Sequence, residues 1–392
     1  MNEKIVRAGI IGSGFAANFH YEAIKRIYST KVKIAGAFST RNAINFTAPR
    51  NIKNLDSLEE LIDASDMLHV CTPPSTHEEL VIAVLKRGKH VIVEKPFTGY
   101  FGDGSSVFNG DTFSREIGLK QAKESIQRML KAEEESEGSI FYAENWVYAP
   151  AIQKEREIIE KTKAQILWIQ AQQSHSGSHS MDYGKWHLSG GGSLMGKGSH
   201  PLAASIYLKH VEGRARTGIP IRPKSISART HKITRMASFK NEGGHLRDTY
   251  TDVEDYASIH LVFEDGTIAD IVASELLQGG VKNYVEVHAN NHRTLCNIAP
   301  NDAMITYNPK EENFNDIYVV EKTETKQGWS FVSPDEAWFN GYQHEMDAFY
   351  RSLVFGEPNE SNSKLAADVI VTIYTAYLSA EQNGVEMPIT IL

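Results

Sequence analysis

The residues that most constrain the fold lie near the start of the chain. Ile-Val-Arg-Ala-Gly-Ile-Ile (residues 5–11) is a short apolar run, and Gly12-Ser13-Gly14-Phe15-Ala16-Ala17 follows at once. A buried strand that breaks into GxGxxA and opens a helix is the fingerprint of a dinucleotide site. Gly12 permits the tight turn, and Gly14 lets the backbone approach a pyrophosphate. Ala17 allows the helix to pack closely on the strand. The helix start then offers unpaired N–H groups and the positive end of its dipole to the phosphates. Ser13, Phe15 and Ala16 lie within this turn and are assigned to the cofactor with the glycines.

The pattern that follows repeats strand and helix. Residues 32–38, 67–71 and 90–93 read as strands, and residues 58–64 and 76–87 read as helices. Strands alternating with helices at this spacing give a doubly wound parallel sheet. Residues 99–116 interrupt the rhythm with glycines and small polar residues around Phe101 and Phe108. They read as a long insertion, expected to form a flap over the active site, with a surface excursion as the alternative. A helix over 115–135 and a strand at 141–143 resume the pattern. From about residue 166 the pattern changes. Segments 166–172, 225–233, 256–263, 267–274, 284–289 and 316–321 read as strands of one large, open, mostly antiparallel sheet. Residues 344–354 and 365–382 read as helices. The chain is therefore expected to be α/β, with a Rossmann domain over 1–145 and a substrate-binding and oligomerisation domain over 146–392. Its last helices are expected to return toward the Rossmann domain. A chain of 392 residues is long enough to need both.

The acidic residue that usually takes the ribose hydroxyls about 20 residues beyond the glycines is missing. Ser39-Thr40-Arg41 stands at the end of the second strand instead. A serine and an arginine suit a 2′-phosphate, so NADP is slightly favoured over NAD. Glu94-Lys95-Pro96 ends a parallel strand, at the sheet edge where open α/β sheets bind ligands. A lysine there can hydrogen-bond a reacting oxygen and stabilise alkoxide charge. The run from Gly190 to Gly198 leads into Ser199-His200-Pro201, and His200 is a candidate general acid/base near neutral pH.

Taken in order, these segments resemble the Gfo/Idh/MocA oxidoreductase family. The resemblance rests on Gly12–Ala17, on Cys71-Thr72-Pro73-Pro74 with His77, and on Gly88 through Glu94-Lys95-Pro96. It continues through the glycine run ending at His200, Glu254-Asp255 with the 263–266 hairpin, and Tyr377-Leu378-Ser379-Ala380. It implies that Lys95 and His200 are catalytic. It also implies that Cys71, Thr72 and Pro73 line the nicotinamide ribose, with His77 and Glu94 beside them. The family commonly carries Asp-x-Gly-x-His at the third motif, whereas this chain has Gly196 in place of that Asp and Lys197 next to it. The implied activity is hydride transfer between a nicotinamide and a secondary hydroxyl of a sugar, glycoside or cyclitol. Relatives also include glycosidases that work by transient C3 oxidation with retained NAD, and non-enzymatic nucleotide-sensing regulators. The resemblance also implies a homodimer or homotetramer through the C-terminal sheet.

Tyr148, His175, His179, Trp186 and Lys197 are further candidates for substrate contact, because polar donors and aromatic faces suit carbohydrate. His175 and His179 are four apart, but serines and a glycine between them break a helix and no thiolate is near. No metal site is therefore assigned. With 41 basic and 49 acidic residues the net charge is −8, which disfavours nucleic acid and anionic membranes as partners. Two cysteines without CxxC spacing suit a reducing compartment. The first apolar run goes straight into the glycine turn and reads as a strand, not a secretion leader. A cytoplasmic location is expected.

Overall fold

The computed structural model describes residues 5–41, 43–178 and 180–392. Strand β1 (Ile5–Ile11) passes through the glycine turn into helix α1 (Phe15–Lys25). Then come β2 (Lys31–Phe38), α2 (Ile44–Thr47), α3 (Leu58–Ala64), β3 (Met67–Val70), α4 (His77–Leu85), β4 (His90–Glu94), α5 (Arg115–Glu134) and β5 (Ile140–Ala143). The five strands are parallel, in the order β2-β1-β3-β4-β5. β3 and β5 are buried at every position. This is why they read as continuous apolar runs: helices cover both faces of the sheet. Ser57 caps α3 by accepting the Glu60 N–H at 3.1 Å.

The chain continues with α6 (Asn145–Tyr148), α7 (Pro150–Thr162), β6 (Ile166–Ser174), α8 (Trp186–Ser189), a π-helical turn at Leu194–Gly198 and α9 (Ser199–Thr217). Next are β7 (Pro223–His231), β8 (Tyr256–Phe263), β9 (Ile268–Ser274), β10 (Lys282–Ala289), β11 (Arg293–Ala299), and the small hairpin β12 (Ile305–Asn308) with β13 (Gly328–Phe331). The last elements are α10 (Glu336–Phe339), α11 (Tyr342–Phe355), α12 (Ser363–Glu381) and β14 (Met387–Pro388). Seven strands form one sheet in the order β11-β10-β6-β9-β8-β7-β14. Only β6 and β9 run parallel in it; the other neighbours are antiparallel. α11 and α12 lie against the first sheet: Phe349 packs on Phe141 at 5.2 Å, and Tyr350 reaches His69.

Two expectations change. Residues 316–321 form no strand. Their one backbone link to a neighbouring segment is Ser333 N–H to Val319 O at 2.9 Å, and a single bond makes no ladder. Residues 99–114 are irregular, as their composition predicts, yet they are tied down along their length. The Tyr100 N–H donates to Tyr374 Oη, and the Tyr100 carbonyl accepts Trp186 Nε1–H. The Gly110 N–H donates to Asp252 at 2.7 Å, and Asp111 pairs with Lys232 and Arg235. Phe108 packs on Tyr100 and Phe113, so it faces an aromatic cluster and covers no substrate. The segment is a strap between the two halves, exposed at residues 103–107 and at Asn109, Thr112 and Ser114.

Candidate active site

The phosphate turn is set by backbone geometry. Gly12 has φ +111°, and a Cβ on it would lie 2.5 Å from the Cys71 carbonyl oxygen. A Cβ on Gly14 would meet nothing within 4 Å, so the space above it is open. No side chain caps the start of α1, and the positive end of its dipole faces the glycine turn. Ala17 is fully buried against the strand.

Beside this turn, a cavity of about 320 Å³ is lined by Ser13, Asn18, Arg41, Asn45, Phe46 and Arg50. Ser39 Oγ accepts the Arg41 N–H at 3.4 Å, and Thr40 is exposed at the rim. Arg50 lies over the Tyr21 and Phe46 rings at 5.0 and 4.5 Å. It donates to Phe46 O and Asn18 Oδ1, while its Nε is buried without a partner. An open glycine turn, a helix start without a side-chain cap and two arginines in one polar cavity fit a dinucleotide diphosphate and its ribose.

Cys71, Thr72 and Pro73 turn away from the end of β3, where Thr72 and Thr76 share a hydroxyl hydrogen bond of 2.7 Å. His77, assigned above to the cofactor, is fully buried. Its ring bridges the Pro96 and Thr72 carbonyls at 2.9 and 3.1 Å, so it ties the two turns together and presents no face to a ligand.

The central group is drawn from both halves of the chain. Lys95, at the end of β4, donates from Nζ to the Gly196 carbonyl at 2.9 Å, inside the π-helical turn. Burial acts against the Lys95 ammonium, but Tyr183, Glu94 and Glu144 outweigh it and hold the pKa above the usual lysine value. Four residues past Gly196, His200 points Nδ1 at Glu144 Oε1 across 2.6 Å and stacks on Trp146. Among the described residues His200 Nε2 has no hydrogen-bond partner, so it is the ring atom able to exchange a proton. Glu144 follows β5 directly, so the parallel sheet holds the carboxylate and the C-terminal half delivers the imidazole. Glu254, buried ahead of β8, accepts the N–H groups of Gly192 and Leu194 and the Tyr377 hydroxyl. That clamp fixes the glycine run whose continuation places His200.

The missing Asp has a visible counterpart. A Cβ on Gly196 would lie 3.1 Å from the Tyr183 ring. Lys95 Nζ sits 5.4 Å from the centroid of the same ring. Tyr183 therefore occupies the space an Asp side chain at position 196 would need. The glycine was the sequence signal for it, since removal of a side chain marks a close approach.

Lys197 is buried and paired with Glu275, with Ser178 Oγ accepting from it at 3.1 Å. Burial pulls its ammonium below the usual range, against the attraction of Glu275. His175 is buried nearby, and its Nδ1 accepts the Gly177 N–H. His179 lies outside the described residues. Two assignments are corrected. Trp186 is completely buried, its one N–H is spent on Tyr100, and Phe113, Arg115 and Tyr377 cover its ring. Tyr148 is buried on Phe349, and its hydroxyl accepts the Ser361 N–H. Neither can touch a substrate. Glu144, Tyr183 and Glu275 were not legible as site residues, because each acts through a partner distant in sequence.

The chain matches the model of the oxidoreductase family with an NAD-binding Rossmann fold over residues 6–109. It matches the GFO/IDH/MocA C-terminal domain over residues 152–293. Glucose-6-phosphate 3-dehydrogenase of Bacillus subtilis is 34% identical over 90 residues, which is 23% of this chain and 26% of that protein. Inositol 2-dehydrogenase of Cereibacter sphaeroides is 36% identical over 95 residues, 23% of this chain and 28% of that protein. Each alignment thus spans less than a third of the relative's length. Over whole chains, GenD2 from gentamicin A biosynthesis, solved with NAD, superposes with a TM-score of 0.78 at 20% identity, covering 99% of this chain and 97% of that one. With both domain models matched in order and the fold shared end to end, the chain belongs to the Gfo/Idh/MocA family of oxidoreductases.

Proposed function

We propose that this chain is an NAD(P)-dependent dehydrogenase that moves a hydride between the nicotinamide and a secondary hydroxyl of a sugar or cyclitol. The observation that carries the reading is the meeting of Lys95 with the Gly196–His200 turn, at the C-terminal edge of the parallel sheet. Both residues lie where a dinucleotide seated on Gly12–Ala17 would present its nicotinamide. The cofactor, when bound, supplies the hydride acceptor. Lys95, held charged, stabilises alkoxide character on the substrate oxygen. His200 Nε2 takes the hydroxyl proton, and Glu144 stabilises the imidazolium that results. Lys197 and Glu275, buried and paired with each other, hold Ser178 in place, and Ser178 is the member of that group within reach of a substrate hydroxyl.

An assay over a panel of sugars, sugar phosphates, cyclitols and glycosides tests this reading, followed by nicotinamide absorbance and product mass. Reduction of the nicotinamide with a product two mass units lighter is the expected result. Release of an aglycone without net reduction would replace it with a transient-oxidation glycosidase. No turnover of any member, with cofactor bound, would favour a nucleotide-sensing protein.

Tyr183 stands beside Lys95 where the family's Asp is absent, so its hydroxyl helps hold the reacting oxygen. Tyr183→Phe is expected to lower kcat about tenfold with the cofactor Kd unchanged. An unchanged kcat would reduce the ring to a spacer.

The arginine-lined cavity supports NADP(H) as the preferred cofactor. Arg50 brings a second cation to the pocket that Ser39, Thr40 and Arg41 open, and planar guanidinium groups suit phosphate. Arg41→Ala and Arg50→Ala should each weaken NADP(H) by roughly tenfold or more, about 1.4 kcal/mol, and leave NAD(H) nearly untouched. Equal loss for both cofactors would show that the arginines do not read the phosphate.

The large sheet supports a homodimer or homotetramer through its outer face. Inward positions such as Ile169, Ala171 and Val285 are buried. Trp168, Val272, Tyr284 and His288 on the opposite face remain partly exposed, and Leu295 is exposed. Among the described residues no helix is long and apolar enough to cross a membrane.

A further inference from the structure

Behind the nicotinamide edge lies a chain of buried polar groups that the hydride-transfer reading does not use. Glu94, at the end of β4, accepts from His20 Nε2 at 3.0 Å and from the Lys95 N–H at 3.0 Å. His20 Nδ1 faces His69 Nδ1 at 2.9 Å. His69 Nε2 meets Tyr350 Oη at 2.8 Å. His20, His69 and Tyr350 are all buried, while the Glu94 side chain remains 17% exposed. Four residues from α1, β3, β4 and α11 thus form one hydrogen-bonded line with a single end near solvent.

Two facing Nδ1 atoms cannot both donate or both accept. With two neutral rings the line runs one way: Tyr350 O–H donates to His69 Nε2, His69 Nδ1–H to His20 Nδ1, and His20 Nε2–H to Glu94. With one added proton it reverses in the middle: His20 becomes an imidazolium that donates to both Glu94 and His69, and the His69 proton moves to Nε2, facing the Tyr350 oxygen. Every ring nitrogen has a partner in both states, so the line can hold or release a proton without orphaning a buried imidazole nitrogen.

We infer that the Glu94–His20–His69–Tyr350 line is a proton store linked to the redox state of the bound nicotinamide, with His20 as the group that gains and loses the proton. This rests on the cofactor reading above. The oxidised nicotinamide carries a positive charge and the reduced one does not. Next to Glu94, that charge competes with the His20 proton for the same carboxylate. Oxidised cofactor therefore expels the proton, and reduced cofactor lets it stay. The balance suits the reaction: oxidation of a carbinol sends its hydride to the cofactor and its hydroxyl proton to His200. His20 then takes up one proton from the medium through Glu94 as the ring charge disappears.

The groups facing His20 are Glu94 on β4, His69 on β3, Cys71 just after β3, and Glu345 on α11. Burial acts against a charge on His20, but the Cys71 and Glu94 contacts outweigh it and hold its pKa well above the usual histidine value. Burial, together with the His20 charge, holds His69 well below that value. Burial pushes the Cys71 thiol and the Glu345 carboxyl up. Glu94 is the carboxylate in direct hydrogen-bond contact with His20.

The test is the pH dependence of cofactor affinity in the absence of substrate. Kd values for the oxidised and reduced forms are measured from pH 6 to 9 by quenching of tryptophan fluorescence. Because the 2′-phosphate titrates alike in both forms, their ratio isolates the ring. The ratio should move toward tighter oxidised binding as pH rises, approaching tenfold per pH unit, the slope of one linked proton. His69→Phe keeps a ring beside Tyr350 but removes the acceptor for the second His20 proton. It should bind both forms and flatten the slope, and His20→Asn should do the same. A pH-independent ratio in the native protein, or an unchanged slope in a cofactor-binding His69→Phe, would overturn the store while leaving the dehydrogenase reading intact. Failure of either cofactor form to bind the native protein at any pH would overturn both.

Discussion

Lys95→Ala should lower kcat by about three orders of magnitude while leaving the Kd of the cofactor within a few-fold of the native value. Two features separate the effects. The phosphate grip is built from Gly12, Gly14 and the start of α1, and none of these touches Lys95. The lysine ammonium, in contrast, is the positive group anchored between Gly196 O and Tyr183 at the sheet edge. Because its surroundings keep it charged, its loss removes alkoxide stabilisation throughout the neutral range. His200→Ala should act comparably on kcat, and Glu144→Gln less, since the amide still orients the ring but no longer stabilises the imidazolium. Steady-state kinetics with a saturating substrate, alongside cofactor titration, check all three. Full activity in both Lys95→Ala and His200→Ala would end the assignment.

Glu254→Ala should be the most destabilising single change near the site, by about 3 kcal/mol or more. Three donors converge on this buried carboxylate: Gly192 N–H, Leu194 N–H and Tyr377 O–H. Alanine would strand all of them where water does not reach. Loosening the glycine run also moves His200, so activity should fall further than stability alone explains. Denaturant unfolding followed by fluorescence and by circular dichroism measures the first effect. A loss below about 1 kcal/mol, within the range of ordinary surface changes, would show that the clamp is not needed.

The Rossmann half was legible because its signals are local. A strand, a glycine turn with one positive φ and a helix start lie within a dozen residues, and parallel strands buried on both faces announce themselves as apolar runs. α9 shows the opposite case. Fifteen of its nineteen residues are buried, including Lys209, His210 and Glu212, so it has no polar stripe for a helical period to show. α7 was legible in principle, with Pro150 at its first turn and Ile152 and Ile159 on one face. β11 alternates weakly, as expected for an edge strand with one solvated face.

Among the site residues, aromatic character misled where burial decided. Trp186 and Tyr148 have the chemistry of sugar contacts, yet the strap and α11 enclose them. The strap reads as a flap from sequence because glycine and serine content reports freedom in the isolated chain, whereas Asp252, Lys232, Arg235 and Tyr374 remove that freedom from outside.

By itself the sequence determined the glycine turn, the alternation of strand and helix that makes a parallel sheet, and the placing of Lys95 at a strand end and His200 after a glycine run, since each depends on residues adjacent in the chain or at helix and strand spacing. The tertiary structure alone decided which groups those residues meet. Glu144 is 56 positions from His200, Gly196 is 101 from Lys95, and His69 is 49 from His20. No periodicity spans such distances. Packing of one half on the other brings those groups within hydrogen-bond reach, and there burial turns weak, solvent-screened attractions into fixed partners.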